Sequence, residues 1–373
     1  MQIQVRRLRE LLELLKPAVP KKPTIEALSN ILLNDGKAMA SDLESAVILD
    51  LPEAKEACLV PLDAVIKLLK YVPGNEEITL GRKRGWLNLT WPGGKSSYQV
   101  PGAEDYPTIP QVEPKASGSL DGDSLVSALT SVVGYCSSEE SRPILSGVTV
   151  FLGEDLEVIA ADGFRMAYQT LPDAFPASER VIIPAKAVYL LDHLWRKTSK
   201  PVQAGAVDAS LVEIITRKRQ LDLALGDELL SLSLGEATIV TRTIQGEPPD
   251  YKQLMALQEV PVVQATVFAP EVERAVRRIK PVAEKGNGAA RLILSEDSIT
   301  VSAKNDEQQV EAEVPTVTTQ GTGRVAVNAG YLLDYLQGKD GILTVELRSG
   351  TAPVSLRHKS SPLVFIMPMQ VDW

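Results

Sequence analysis

Acid–base or nucleophilic chemistry needs a titratable side chain held against a partner, and the chain offers two histidines for that work, His193 and His358. Neither stands in a motif with a serine, cysteine or aspartate, so neither reads as half of a catalytic pair. His193 falls inside a helical pattern and reads as a polar position on it. Asp42, Asp162 and Asp306 lie in separate, similar segments at matching turns, which points to structural turn use and not to one metal site. No G-x-x-x-x-G-K-S/T loop is present, and Pro92-Gly93-Gly94-Lys95 reads as a turn between strands, not a phosphate cradle. Cys58 and Cys136 have no metal-binding spacing and fit a reducing compartment. The chain is therefore expected not to be an enzyme and to need no cofactor.

The side chains that do recur are cations on helix faces. In Val5 to Leu15, the residues Val5, Leu8, Leu11, Leu12 and Leu15 share one face, and Arg6 and Arg9 belong to a separate stripe. Lys67 and Lys70 face away from Leu62, Val65, Ile66 and Leu69. Arg274, Arg277 and Arg278 face away from Val272, Val276 and Ile279. The middle of the chain adds Lys186, Arg196 and Lys197. One such stripe is ordinarily a solvated face. Repetition on equivalent helices, in a chain of net charge -9, implies a basic channel in an acidic protein if those helices line one surface. Lysine and arginine contacts to phosphate carry no base information, as a sliding protein requires. Aromatic content of 5% is too low for stacking along a single strand, so duplex is favoured.

The elements that must hold these residues recur too. Helical patterns open three segments, at Val5 to Leu15, Ser124 to Val133 and Pro270 to Ile279. About 55 to 60 residues later a second helical pattern follows each, a spacing that marks a repeat: Pro61 to Val72, Pro184 to Trp195 and Asn328 to Leu336. Strand groups fill the gaps, and others follow at Ile78 to Tyr98, Val212 to Thr243 and Leu343 to Met367. In the middle copy the strands read Gly147 to Leu152, Leu156 to Ala160 and Met166 to Leu171, an antiparallel meander with Asp162-Gly163 as a hairpin turn. Linkers are expected at Val112 to Ser119 and at Gln258 to Pro261. At 373 residues, with 44% hydrophobic and 23% charged content, the chain suits three α+β domains: 1–117, 118–258 and 259–373. No apolar run approaches the roughly 20 residues that span a bilayer, and the N-terminus does not read as a signal peptide. A cytoplasmic protein is expected.

Arg142-Pro143, Leu145 and Gly147, followed by a strand and then by Ala161, Asp162-Gly163-Phe164-Arg165 and Ala167, resemble the middle domain of the bacterial DNA polymerase III sliding clamp (β subunit) family. Lys22-Pro-Thr24, Leu28 to Leu32, Ser41 to Glu44, Val60 to Ala64, Glu104 to Pro107, Gly246-Glu247 and Pro249 to Tyr251 extend the resemblance. Phe365-Ile-Met-Pro-Met369 is similar to the family's terminal signature. The resemblance implies three repeated clamp-type domains and a head-to-tail homodimer closing a ring around duplex DNA without sequence preference. It adds Lys22 to the DNA-facing set. It also implies a hydrophobic groove for short peptides of the replicative DNA polymerase, the clamp loader and repair proteins. The positions it carries over are Leu145, Ala161, Gly163, Arg165, Met166, Pro249, Leu254, Phe365, Met367, Pro368 and Met369. Methionine is unbranched and polarizable, which suits a surface that accepts many sequences.

Four positions depart from the family pattern. Phe164 stands where histidine is usual, and Gln253 where a basic residue is common. Pro281 is expected to interrupt a helix end that contributes to the subunit contact. Trp373 extends the chain beyond the signature and lies either across the groove or packed elsewhere. Two rivals stand beside a processivity clamp: a divergent clamp-fold homologue that binds partners without being loaded on DNA, and a small-molecule enzyme on a repeated scaffold.

Overall fold

The computed structural model describes residues 1–139, 141–198, 219–255, 260–349, 351–359 and 361–373. One order of elements occurs three times: strand, helix, four strands, helix, three strands. The first pass is β1 (Gln2–Gln4), α1 (Val5–Leu15), β2 (Asn30–Asn34), β3 (Lys37–Ser41), β4 (Ser45–Asp50), β5 (Cys58–Pro61), α2 (Leu62–Leu69), β6 (Glu77–Lys83), β7 (Trp86–Trp91) and β8 (Gly94–Gln99). The second is β9 (Ala116–Asp121), α3 (Gly122–Val132), β10 (Gly147–Leu152), β11 (Leu156–Ala161), β12 (Arg165–Leu171), β13 (Glu179–Pro184), α4 (Ala185–Thr198), β14 (Gln220–Leu225), β15 (Leu229–Leu234) and β16 (Ala237–Arg242), with a short α5 (Tyr251–Met255) after it. The third is β17 (Val263–Phe268), α6 (Ala269–Lys285), β18 (Ala289–Leu294), β19 (Ser298–Lys304), β20 (Gln309–Gln320), β21 (Gly323–Asn328), α7 (Ala329–Leu336), β22 (Ile342–Leu347), β23 (Val354–His358) and β24 (Leu363–Ile366). The α+β class and the threefold repeat expected from the sequence are present. The expected start of a strand group at Val212, and Gln258 of the second linker, lie outside the described residues.

Helix α1 buries Val5, Leu8, Leu11, Leu12 and Leu15, the face that the spacing predicts. Its start has no side-chain cap. The Val5 and Arg6 amides donate instead to the Glu76 and Gly74 carbonyls, at 2.9 Å each, which satisfies two of the donors a helix N-terminus leaves open. Helix α7 uses a side chain: Asn328 Oδ1 accepts from the Gly330 and Tyr331 amides. Helix α6 corrects the sequence reading, because it passes through Pro281 to Lys285. Proline removes one helical hydrogen bond; the turn persists because Ala283 beyond it is buried, 1% exposed.

Two compact units result, and the middle repeat contributes to both. Unit 1 (Met1–Thr130, Phe151–Leu156, Leu171–Gln245) holds the sheet β1-β6-β7-β8 and the sheet β5-β2-β3-β4-β16-β15-β14-β9. Its two repeats join where β4 pairs antiparallel with β16, from Ser45↔Thr241 to Leu49↔Ala237. The Ser45 and Thr241 hydroxyls meet there at 2.8 Å, both buried. Unit 2 (Ser131–Val150, Glu157–Thr170, Gly246–Trp373) holds β10-β11-β12-β24-β23-β22-β17-β20-β19-β18-β21. Its join is the equivalent pair, β12 with β24, from Arg165↔Ile366 to Tyr168↔Leu363.

The matching turns are built alike. Asp42 Oδ1 accepts from the Glu44 and Ser45 amides. Asp162 Oδ1 accepts from the Phe164 and Arg165 amides at 2.9 Å each. In the third repeat the same bonds go to Asn305 Oδ1, from Glu307 and Gln308. The equivalent of Asp42 and Asp162 is therefore Asn305 and not Asp306. An amide oxygen accepts the same two bonds without charge, so a carboxylate is dispensable there.

Candidate functional site

In unit 2 the turn after β11 and the start of β12 lie against the chain end. Gly163 takes φ 93°, a conformation that favours glycine, and a side chain there would run into the Arg142 guanidinium. The next residues, Phe164 and Arg165, are thereby turned in different directions. Phe164 is 50% exposed, with the Arg142 guanidinium 5.8 Å from its ring. Arg165 turns inward, its side chain 13% exposed.

Arg165 is held on every side. Its Nε donates to Asp162 Oδ2 at 3.0 Å, its Nη1 to Asp334 Oδ2 at 3.0 Å and its Nη2 to the Gly134 carbonyl at 3.4 Å. The flat guanidinium also lies over two rings, Tyr331 at 4.4 Å and Tyr135 at 5.0 Å. Burial pushes the Tyr135 hydroxyl up to about 12 against the pull of Arg165, and burial raises Tyr331 too. Both rings stay neutral near pH 7 and offer their π faces to the cation. Arginine suits this place better than lysine, because the contacts are planar and several.

The chain end runs directly beside this turn. The Met367 amide donates to the Phe164 carbonyl at 2.8 Å, continuing the β12–β24 ladder by one bond, and the Met369 amide donates to the Ala326 carbonyl at 2.7 Å. Met367 is 41% exposed and stands beside Phe164. Pro368 and Met369 are half-buried. Ala161, Met166 and Phe365 are buried. Leu145 is half-buried in the 3₁₀ turn Pro143–Ser146, whose backbone is tied by Leu145 O to the Ser137 amide. Pro249 is exposed ahead of α5, and the buried Tyr251 hydroxyl meets Thr149 at 3.4 Å. The Leu254 side chain lies outside the described residues. Trp373 does not cross the expected groove: it lies under the Arg324 guanidinium at 4.8 Å, with the Asp372 carbonyl held by Arg291.

The cations expected to meet DNA fall into three groups. Arg6 pairs with Glu10 at 3.2 Å, Arg196 with Asp192 at 2.8 Å, Arg274 with Glu271 at 3.7 Å and Arg277 with Glu273 at 2.7 Å, all exposed and all on their own helices. Lys186 pairs with Asp42 across the repeat junction of unit 1. Arg9 turns onto the end of α2, donating to the carbonyls of Leu69 and Val72. A cation suits a helix C-terminus, and these bonds direct it along α2. Lys22, Lys67, Lys70, Lys197 and Arg278 are exposed, with no ion pair among the described residues.

Residues 119–250 match the DNA polymerase III beta subunit, central domain, the stretch that contains the turn, Arg165 and Pro249. This middle stretch is similar to that family's central domain. The Beta sliding clamp of Synechococcus elongatus is 26% identical over 388 residues, spanning 96% of each chain. The Beta sliding clamp homolog GriR of Streptomyces muensis is 28% identical over 64% of this chain and 59% of its own. The DNA polymerase III beta-subunit sliding clamp of Pseudomonas aeruginosa, bound to griselimycin, superposes with a TM-score of 0.84 at 21% identity, covering 100% of this chain and 99% of that one. This last likeness establishes the fold.

Sequence reasoning gave Arg142 no role beyond the resemblance and did not find Tyr135, Tyr331 or Asp334. The last two stand three apart on α7, a spacing that puts them on one helix face, but an apolar helix pattern hides such a pair among core positions. Tyr135 ends a short 3₁₀ turn, Val133–Tyr135, which carries no helical period to mark it.

Proposed function

We propose that this chain is a sliding clamp of the DNA polymerase III beta-subunit family that encircles duplex DNA and tethers partner proteins through a unit 2 groove, with no catalytic step of its own. The observation that carries the groove is the pair of exposed apolar side chains, Phe164 and Met367, on bonded backbones. Exposed apolar groups next to a rigid polar frame suit capture of a linear peptide. The docking residues are Leu145, Ala161, Gly163, Arg165, Met166, Pro249, Leu254, Phe365, Met367, Pro368 and Met369. Peptides of the replicative DNA polymerase, the clamp loader and repair proteins are the proposed occupants, and the cytoplasm is the proposed compartment.

The strand joins support the ring. β4 pairs with β16 and β12 with β24, each the last strand of the following repeat. β8, the last strand of the first repeat, ends its sheet with an open edge. Among the described residues, the first half of β20, which corresponds to β4 and β12, pairs only with β19. An open edge invites another strand. Pairing of β20 with β8 of a second copy repeats the internal join, head to tail, and closes after two copies into a ring of three-domain chains (1–117, 118–258, 259–373). In this arrangement Arg6, Arg9, Lys22, Lys67, Lys70, Lys186, Arg196, Lys197, Arg274, Arg277 and Arg278 are the cations proposed to serve the DNA. A second reading, a partner-binding homologue that is never loaded, draws support from the ion pairs that occupy Arg6, Arg196, Arg274 and Arg277.

Burying one Leu, Phe or Met side chain contributes about 1.5 to 3 kcal/mol, so two or three anchors, less the cost of ordering a peptide, give roughly micromolar affinity. A peptide with a glutamine and a following Leu-Phe pair is expected to bind the wild-type chain. Met367→Ala with Leu145→Ala is expected to weaken it by at least about 2 kcal/mol, each truncation costing about 1 to 2. Unchanged affinity in a folded double variant, read by fluorescence anisotropy, places the docking site elsewhere.

A further inference from the structure

The proposed groove carries more acid than base. Arg142 is paired with Glu139 at 3.3 Å and lies over Phe164. Lys252 is paired with Glu157 at 3.1 Å. Arg165 answers two carboxylates, Asp162 and Asp334, so its own surroundings are net negative. Asp250 is exposed at the start of α5, its Oδ1 accepting from the Gln253 amide. Gln253 itself is neutral. Around Phe164 and Arg165 two arginines thus stand against three carboxylates, and two of those three reach well into solvent: the Asp334 side chain is 61% exposed and that of Glu139 53%. A negatively charged peptide would meet these two before any unpaired cation.

We propose that this groove selects peptides whose apolar anchor is flanked by lysine or arginine. The proposal rests on the groove being the docking site. Phe164 and Met367 hold the anchor, and Glu139 and Asp334 receive the flank. Arg165, with its donors bound to Asp162, Asp334 and the Gly134 carbonyl, keeps the wall rigid and does not reach out to a peptide carboxylate. Selection of this kind acts through exposed charges, so it weakens with salt.

The test uses the full chain and three labelled peptides that share one core, Gln-Leu-Ala-Leu-Phe, flanked by two lysines, two serines or two glutamates. Anisotropy titrations are run at low salt and at about 1 M, where the screening length falls to about 3 Å. Each exposed charge pair is worth about 1.4-fold to fivefold in affinity. The lysine-flanked peptide is expected to bind about fivefold or more tighter than the glutamate-flanked one at low salt, with serine between them and the three converging at high salt. Glu139→Gln and Asp334→Asn are each expected to narrow the spread. Equal binding of all three at low salt, still lost in Met367→Ala, overturns the charge preference and keeps the groove. Tighter binding of the glutamate-flanked peptide overturns the preference outright. Failure of every peptide to bind removes the groove reading and the preference together.

Discussion

Arg165 is held in place by groups from three separate stretches of sequence: Gly134-Tyr135, Asp162, and Tyr331 with Asp334 on α7. Arg165→Ala leaves those carboxylates without their cation and those rings without their stack. Loss of two charge-assisted bonds and two ring contacts is expected to destabilise the chain by about 2 kcal/mol, read from the shift of a urea unfolding midpoint. Arg165→Lys is expected to recover less than half of that, since a point charge cannot satisfy the flat arrangement. Near it, burial pushes the Cys136 thiol up to about 12 from 9.0, and the Tyr135 hydroxyl up to about 12 from 10.0. Groups whose folded values are raised contribute stability that is full below their unfolded values and lost as pH rises through the folded ones. The chain is therefore expected to hold its thermal midpoint up to about pH 9 and lose it progressively toward about pH 12. An unchanged midpoint across that window would show that these groups are hydrated in solution. Arg165 itself was legible in the sequence through the resemblance. Its partners other than Asp162 were not, because a guanidinium's distant neighbours are set by tertiary approach and leave no local pattern.

At the scale of elements, periodicity located the paired helices and the meander closely. Val5–Leu15 forms as read, and Gly147–Leu152 is a strand to the residue. Both rest on local rules, the helical spacing of apolar side chains and the turn chemistry around Gly153 and Asp162-Gly163. Pro281 escaped those rules. The sequence marks it as a break, yet the burial of Ala283 carries α6 four residues further. Pro281→Ala restores an amide for the Arg277 carbonyl and is expected to stabilise the chain by about 1 kcal/mol, the regained bond and propensity being offset in part by a freer unfolded chain. A lower unfolding midpoint for that variant would mean that the proline fixes the turn. The position of Trp373 was not legible either: four residues at a chain end carry no period, and only the structure places the ring against Arg324.

The threefold repeat was legible because order, spacing and turn residues recur together. The compact units were not. Strand joins exchange elements between repeats, so compactness divides the chain in two where the sequence divides it in three. The same joins lead to the ring, whose two copies of a 40.4 kDa chain are expected to scatter light as a dimer at micromolar concentration. The most direct test of encirclement compares DNA with and without ends. A protein held by phosphate contacts alone loses affinity with salt at a slope near -0.9 per neutralised phosphate, whatever the topology of the DNA. A closed ring leaves a circle only if a protein interface opens. After loading by a cognate clamp loader, the chain is expected to stay on closed circular DNA at salt that abolishes binding to short linear duplex. A single cut in the circle is expected to release it. Equal retention on circular and linearised DNA at every salt concentration would contradict the account.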